Sequence, residues 1–174
     1  MEQAAAAERA GDFSGAKVYA WRAHEAAERD KLGPPSTSNS LFRYGRMAAY
    51  LCQYDEARDA MQKGLAIDEQ TVPPNEKLVS GGLFELARLD YAHENWDGAR
   101  RWYDRAVPLA WKLGGDRRDP IWYADELDRY ALVLQKTGDA GRAVTTSGEA
   151  AHLRAIHPGK TARLVPKPYP KCGP

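Results

Sequence analysis

Cysteine is scarce in this sequence: the 174 residues hold two, Cys52 and Cys172. Two cysteines exclude a disulfide framework and a thiolate metal site. Two free thiols are the simpler expectation, and a bridge tying down the C-terminal segment requires an oxidising compartment. Histidine is little more abundant. His24, His93, His152 and His157 lie at no metal-site spacing with a carboxylate or cysteine. His152 and His157 are five apart and do not share a helix face. A nucleophile elbow is missing, as is a glycine-rich loop leading into a helix. Leu113-Gly114-Gly115-Asp116 is too short to cradle a phosphate and reads as a helix stop and turn. No catalytic residue, no cofactor and no metal is therefore expected, and the chain is read as a non-enzyme.

Charge of one sign is lacking too. The net charge of +1 gives no electrostatic signature of nucleic-acid binding. No apolar run approaches the ~20 residues that span a bilayer. Met1-Glu2-Gln3-Ala4 lacks the basic region and apolar stretch of an intact signal peptide. The expectation is a soluble protein, cytoplasmic, or periplasmic if a signal was removed. Sustained alternation of apolar and polar residues is absent, as are hairpin turn signals, so strands are not expected. Carboxylate pairs such as Asp55/Glu56 and Glu126/Asp128 read as solvated helix faces.

What is present is a repeat. Gly11-Asp12-Phe13-Ser14-Gly15-Ala16, Cys52-Gln53-Tyr54-Asp55-Glu56-Ala57, Glu94-Asn95-Trp96-Asp97-Gly98-Ala99 and Gly138-Asp139-Ala140-Gly141-Arg142-Ala143 align, with their alanines 41, 42 and 44 residues apart. Seven positions after each alanine stands a second small residue: Ala23, Gly64, Ala106 and Ala150. Small residues seven apart share one helix stripe and let a neighbouring helix approach closely. Gly or Asp starts a short turn between antiparallel helices, and the aromatic after it (Phe13, Tyr54, Trp96) plugs the open end of the pair. The helix before each turn carries its own stripe at spacings of three and four, such as Leu41, Tyr44, Ala48 and Leu51, or Leu127, Tyr130, Ala131 and Leu134. Two departures stand out. The first unit has only about ten residues before its turn, and the fourth turn has Ala140 where an aromatic is expected. Pro108, inside the third unit's second helix, is expected to kink that helix or end its regular part.

This pattern resembles the tetratricopeptide repeat. That family usually has a period of 34 residues; the longer spacing is similar to the variant in kinesin light chains and many bacterial relatives. The resemblance implies an all-α fold, a right-handed superhelix (α-solenoid) of antiparallel helix pairs with about four repeats. The boundaries expected are 1–33, 38–75, 80–118 and 121–158, followed by a Pro-rich, basic tail over 159–174. Gly33–Asn39, Thr71–Glu76 and Gly114–Asp119 read as linkers between repeats. The tail reads either as disordered or as an extended segment packing on the array or on a partner, with Leu164, Val165 and Tyr169 as anchors.

The resemblance further implies that the first helix of each repeat lines a concave groove. By that analogy the groove presents Asn39, Phe42, Arg43, Arg46 and Tyr50 from the second repeat, Phe84, Arg88 and Tyr91 from the third, and Arg129 from the fourth. Arginine with aromatics is a hot-spot composition. The expected partner is another protein or peptide carrying acidic and apolar residues. Against this stands the bland alternative: Arg43, Arg46 and Arg88 pair with Glu85 and Asp90 of neighbouring helices, and Phe42 and Phe84 pack between repeats. The function implied is a non-catalytic protein-interaction scaffold or a subunit of a larger assembly. The alternative is a peptide-sensing regulatory protein of the same type.

Overall fold

The computed structural model describes residues 2–172. Met1, Gly173 and Pro174, which fall in the expected first repeat and tail, lie outside the described residues. The described chain is all-α: α1 (Glu2–Arg9), α2 (Phe13–Arg29), α3 (Pro34–Tyr50), α4 (Tyr54–Gln70), α5 (Glu76–Ala92), α6 (Trp96–Lys112), the single turn α7 (Gly115–Arg118), α8 (Pro120–Lys136) and α9 (Ala140–Ile156). Successive helices pack on one another in chain order, and α6 reaches past α7 to α8. The result is a stack of antiparallel pairs. No described helix is long and apolar enough to cross a membrane.

The four repeat turns share one backbone device. Gly11, Cys52, Glu94 and Gly138 occupy the same place after α1, α3, α5 and α8, each with φ between 56° and 82°. The residue after each donates its N–H back to the last turn of the preceding helix: Asp12 to Ala7, Gln53 to Ala48, Asn95 to Asp90 and Asp139 to Leu134, at 2.8–2.9 Å. A left-handed residue followed by such a bond satisfies carbonyls that a helix end leaves orphaned. Asp12, Asn95 and Asp139 then cap the following helix, their side chains accepting from the N–H of Gly15, Gly98 and Arg142. Each turn thus stops one helix and starts the next within three residues.

The small residues work as close-approach points. A Cβ on Gly45 would lie 2.8 Å from Met61 Cγ and 2.9 Å from the Ala57 carbonyl oxygen, so α3 and α4 touch almost backbone to backbone. The Phe42 ring fills the space between α4 and α5: a Cβ on Gly64 would meet it at 3.1 Å and one on Gly82 at 2.4 Å. The aromatics at the turns reach beyond their own pair. Phe13 stacks on Tyr50 at 4.7 Å and Tyr54 meets His93 at 4.2 Å, both in the following repeat. Ala140 is exposed and has no described repeat after it to meet.

Three expectations need correction. Gly33–Asn39 is not a linker: α3 begins at Pro34, because proline suits the first helical turn, where its missing N–H has no partner to lose. Within Gly114–Asp119 lies the turn α7. Pro108 does not end α6, which runs on to Lys112. Pro108 is exposed, so the carbonyl it deprives of a donor can take water. The third correction concerns Glu126, which is fully buried and not solvated. Its carboxylate accepts from Arg88 at 3.1 Å, Arg129 at 2.9 Å and the Tyr103 hydroxyl at 3.1 Å. Asp90 is also fully buried and accepts from Trp102 Nε1 at 2.9 Å, from Arg58 at 3.4 Å and from the Tyr54 hydroxyl. Charges are tolerated inside a protein only when saturated in this way.

Candidate functional site: the first-helix face and the tail across it

The first helices α3, α5 and α8 line up side by side, and one alternating row of charges runs over them. Arg46 pairs with Glu85 at 3.5 Å, Glu85 with Arg88 at 3.0 Å, Arg88 with Glu126 at 3.1 Å, and Glu126 with Arg129 at 2.9 Å. Arg43 reaches back to Glu8 of α1 at 3.8 Å. Arg46 and Arg88 therefore meet Glu85, as the bland alternative had it. Asp90 is taken instead by Arg58 of α4. Burial works to raise the Glu85 carboxyl, but the charges of Arg88 and Arg46 outweigh it, and the group titrates below its ordinary value. Burial likewise opposes the charge of Arg88, and Glu85 with Glu126 hold it firmly protonated.

Over this face lies the chain's own tail. After α9 it turns back and runs from the fourth repeat toward the second. The Asp119 carboxylate marks its entry: Oδ1 accepts the Trp122 N–H and caps α8, while Oδ2 accepts the N–H of Arg163 at 3.0 Å and of Leu164 at 3.2 Å. Farther along, the Tyr50 hydroxyl donates to the Lys167 carbonyl at 3.0 Å. The Lys167 ammonium sits 4.5 Å from the Phe13 ring and 5.2 Å from the Tyr50 ring. Tyr169 is buried at 8% exposure, its ring 5.4 Å from Tyr50, and its hydroxyl donates to Glu85 Oε2 at 2.6 Å. Burial first, then the neighbouring Glu85 charge, push the Tyr169 hydroxyl well above its usual value. The run ends at Cys172, bonded to Cys52 in the α3–α4 turn with their Cα atoms 5.5 Å apart.

The simpler expectation of two free thiols is thus overturned: the tail delivers Cys172 to Cys52 across 120 residues of sequence. Of the three expected tail anchors, only Tyr169 is one; Leu164 is 58% and Val165 79% exposed. Proline explains the segment's sparse backbone bonding. Pro166, Pro168 and Pro170 have no N–H to satisfy, so an extended chain can cross a side-chain surface without a ladder of partners.

The nine expected groove residues divide three ways. Phe42 and Phe84 are buried between repeats, Phe84 edge-on to Trp122 at 5.1 Å, and they shape the floor without facing a ligand. Arg43, Arg46, Arg88 and Arg129 are engaged by carboxylates. Tyr50, Tyr91 and Asn39 are neither buried between repeats nor paired with a carboxylate. Tyr50 touches the tail, Tyr91 borders a cleft of about 280 Å³ between the tail and α5, and Asn39 is exposed beside a smaller hollow near Leu164. Sequence reasoning left Asp119 out of the site and brought Glu85 in as a partner for the arginines, without a role in holding a guest. Their signals were weak: Glu85 stands one turn before Arg88, and Asp119 before Pro120 is an ordinary helix start.

No family model matches the chain, and no curated protein sequence matches it. Among solved structures, the chain is similar to BtubC (BKLC) from P. vanneervenii, with a TM-score of 0.81 at 18% sequence identity over 94% of this chain. The likeness is one of fold. That neighbour is a helical repeat protein, and this chain covers 65% of its length. The comparison places the stacked helix pairs in a known architecture and leaves what the face binds to be argued from its own residues.

Proposed function

We propose that the chain is a tetratricopeptide-type, non-catalytic interaction scaffold, or the interaction subunit of a larger assembly, that holds an extended peptide segment on its first-helix face. The observation that carries this reading is the seated tail. Tyr50, Glu85 and Asp119 hold an extended segment by a hydroxyl donated to the Lys167 carbonyl, a charged hydrogen bond from the buried Tyr169 and two N–H acceptances. A non-catalytic role is supported by the saturation of Asp90 and Glu126, whose oxygens are occupied by arginine, tyrosine or tryptophan donors and not poised for proton transfer. The paired arginines weigh against a strongly acid-seeking groove, because an acidic guest would have to displace Glu85 or Glu126 from them.

The test is selection of a displayed random-peptide library on the full chain carrying Tyr169→Ala and Cys172→Ser, which removes both the buried anchor and the bond that fasten the tail to the face. Enriched peptides are then measured on the same chain with Tyr50→Ala and Tyr91→Ala added. Enrichment that these two changes abolish supports the reading. Peptides that bind regardless move the interface off this face.

A further inference from the structure

We infer that the tail is an intramolecular stand-in for the partner, locked by the Cys52–Cys172 bond, and that a dithiol reductant opens the face to a proline-rich basic segment presenting a tyrosine. This rests on the first-helix face being a peptide site, and adds to it the chemistry of the guest and the means of its admission.

The guest's chemistry is read from how the tail is held. Tyr169 enters a place bounded by the Tyr50 ring and by Glu85, which is itself held by Arg46 and Arg88. That place asks for an aromatic ring ending in a hydroxyl donor: phenylalanine would leave Glu85 Oε2 without its 2.6 Å bond. Two residues earlier, Lys167 lies over Phe13 and Tyr50, a cation on two ring faces. Two residues later, Lys171 meets Glu94 at 3.5 Å. Prolines at 166, 168 and 170 separate these contacts and hold the segment extended. The contacts fall at alternate positions, as an extended guest demands.

The occupancy is incomplete, which suits an exchangeable stand-in. Leu164 and Val165 stay exposed, and a cleft of about 280 Å³ remains beside Pro166, Pro168 and Tyr169. What makes the seat permanent is the covalent bond. Cys52 is exposed in a turn, on the rim of the face, so an external thiolate can reach it. Its backbone sits at φ 62°, in a place where the first and fourth repeats have Gly11 and Gly138.

The exchange balances as follows. One thiolate of the reductant attacks the Cys52 sulfur, forming a mixed disulfide and expelling Cys172 as a thiolate that takes up a proton. The reductant's second thiolate displaces Cys52, which is protonated in turn. The bond gains two electrons and two protons, and the dithiol becomes its own disulfide. Oxidising surroundings keep the face closed and reducing ones open it.

The experiment titrates a fluorescent synthetic peptide of residues 164–171 into the full chain, oxidised or treated with dithiothreitol, and into the Cys172→Ser chain. Circular dichroism confirms the helices under reduction. The expected result is apparent affinity at least about tenfold tighter for the reduced and Cys172→Ser chains than for the oxidised one. The peptide's own Tyr169→Ala and Tyr169→Phe versions should each lose affinity, the first more. Equal binding to oxidised and reduced chains overturns the gate and leaves the peptide site standing. Binding indifferent to Tyr169 overturns the assigned guest. No binding even to a reduced chain carrying Tyr169→Ala, whose tail cannot compete, overturns the peptide site itself. Light scattering of the reduced chain completes the test: a concentration-dependent dimer would give the opened face to a second copy's tail and overturn the assignment to a separate partner.

Discussion

The α5–α6 and α8–α9 pairs follow the same plan, with 17-residue helices and the same left-handed turn, yet they are buried to different degrees. In α6, Ala99, Trp102, Tyr103, Ala106 and Ala110 are all buried. In α9 only Ala143, Ala150 and Leu153 are, and Val144 is 74% exposed. The difference is positional. A helix in a stacked array completes its core against the next pair, so the same pattern is worth less where the described stack ends. The sequence carries the same gradient: Tyr103 and Met61 stand where α9 has Ser147, and Tyr54 and Trp96 stand where it has Ala140.

The sharpest way to break this comparison is to truncate the equivalent positions. Tyr103→Ala removes a fully buried ring and one of the donors to Glu126, and should cost about 3–5 kcal/mol. Ser147→Ala, at the same register but exposed, should change stability by less than about 0.5 kcal/mol. Urea unfolding of the two variants decides the matter. Equal losses would mean that α9 is as tightly held as α6.

Glycines sharpen it further, with opposite signs predicted. A Cβ at Gly82 runs into Phe42 Cζ, at 2.4 Å in the present packing, and Gly82→Ala should destabilise by about 1–3 kcal/mol. Gly148, in the middle of α9, has open space around it, and Gly148→Ala should stabilise by about 0.5–1 kcal/mol through helix propensity alone. Thermal melts in which both variants lost stability would mean that Gly148 is as closely packed as Gly82.

Legibility followed the same divide between what repeats and what occurs once. The helices were legible because each is written four times over, and the alanine register fixes the turns to the residue. The charged row on the first-helix face was half legible: Arg43, Arg46, Arg88 and Arg129 stand at the implied positions, but single positions do not reveal that Glu85 and Glu126 hold three of them. Glu126 misled because a carboxylate beside Asp128 looks solvated, and only the arrival of Tyr103 and Arg88 from other helices makes its burial affordable. The tail was least legible. Nothing local distinguishes a proline-rich segment that dangles from one that docks; Tyr169 meets Glu85 from 84 positions away, and Cys172 meets Cys52 from 120.

The docked tail and the array it lies on should also differ in their response to pH. Glu85 titrates below its ordinary value when folded, so its contribution is present above the ordinary carboxylate range and is lost as pH falls through the lowered folded value. Tyr169 is raised, so its contribution is full below the ordinary tyrosine value of about 10 and is lost as pH rises toward its folded value. Docking of the tail should therefore hold across the middle of the pH scale and weaken at both ends, while the helices persist. Fluorescence of a probe attached at the exposed position 165 in the dithiothreitol-treated chain, followed beside far-UV circular dichroism, measures the two separately. A tail signal that tracks the helix signal throughout would mean that the two are a single cooperative unit.

The smallest expected effect compares two of the turns themselves. Glu94 and Gly138 occupy the same left-handed place, at φ 56° and 82°. Glutamate carries a side chain into a region that costs an L-residue roughly 1–2 kcal/mol, and its ion pair with Lys171, 3.5 Å long and exposed, returns little of that. Glu94→Gly should therefore raise stability by about 1 kcal/mol, while Gly138→Ala should lower it by a similar amount, since open space around Gly138 does nothing to relieve the backbone. Both are read from shifts in the urea midpoint at unchanged slope. If Glu94→Gly proved neutral or harmful, the Lys171 contact would be holding the tail more firmly than its exposure suggests.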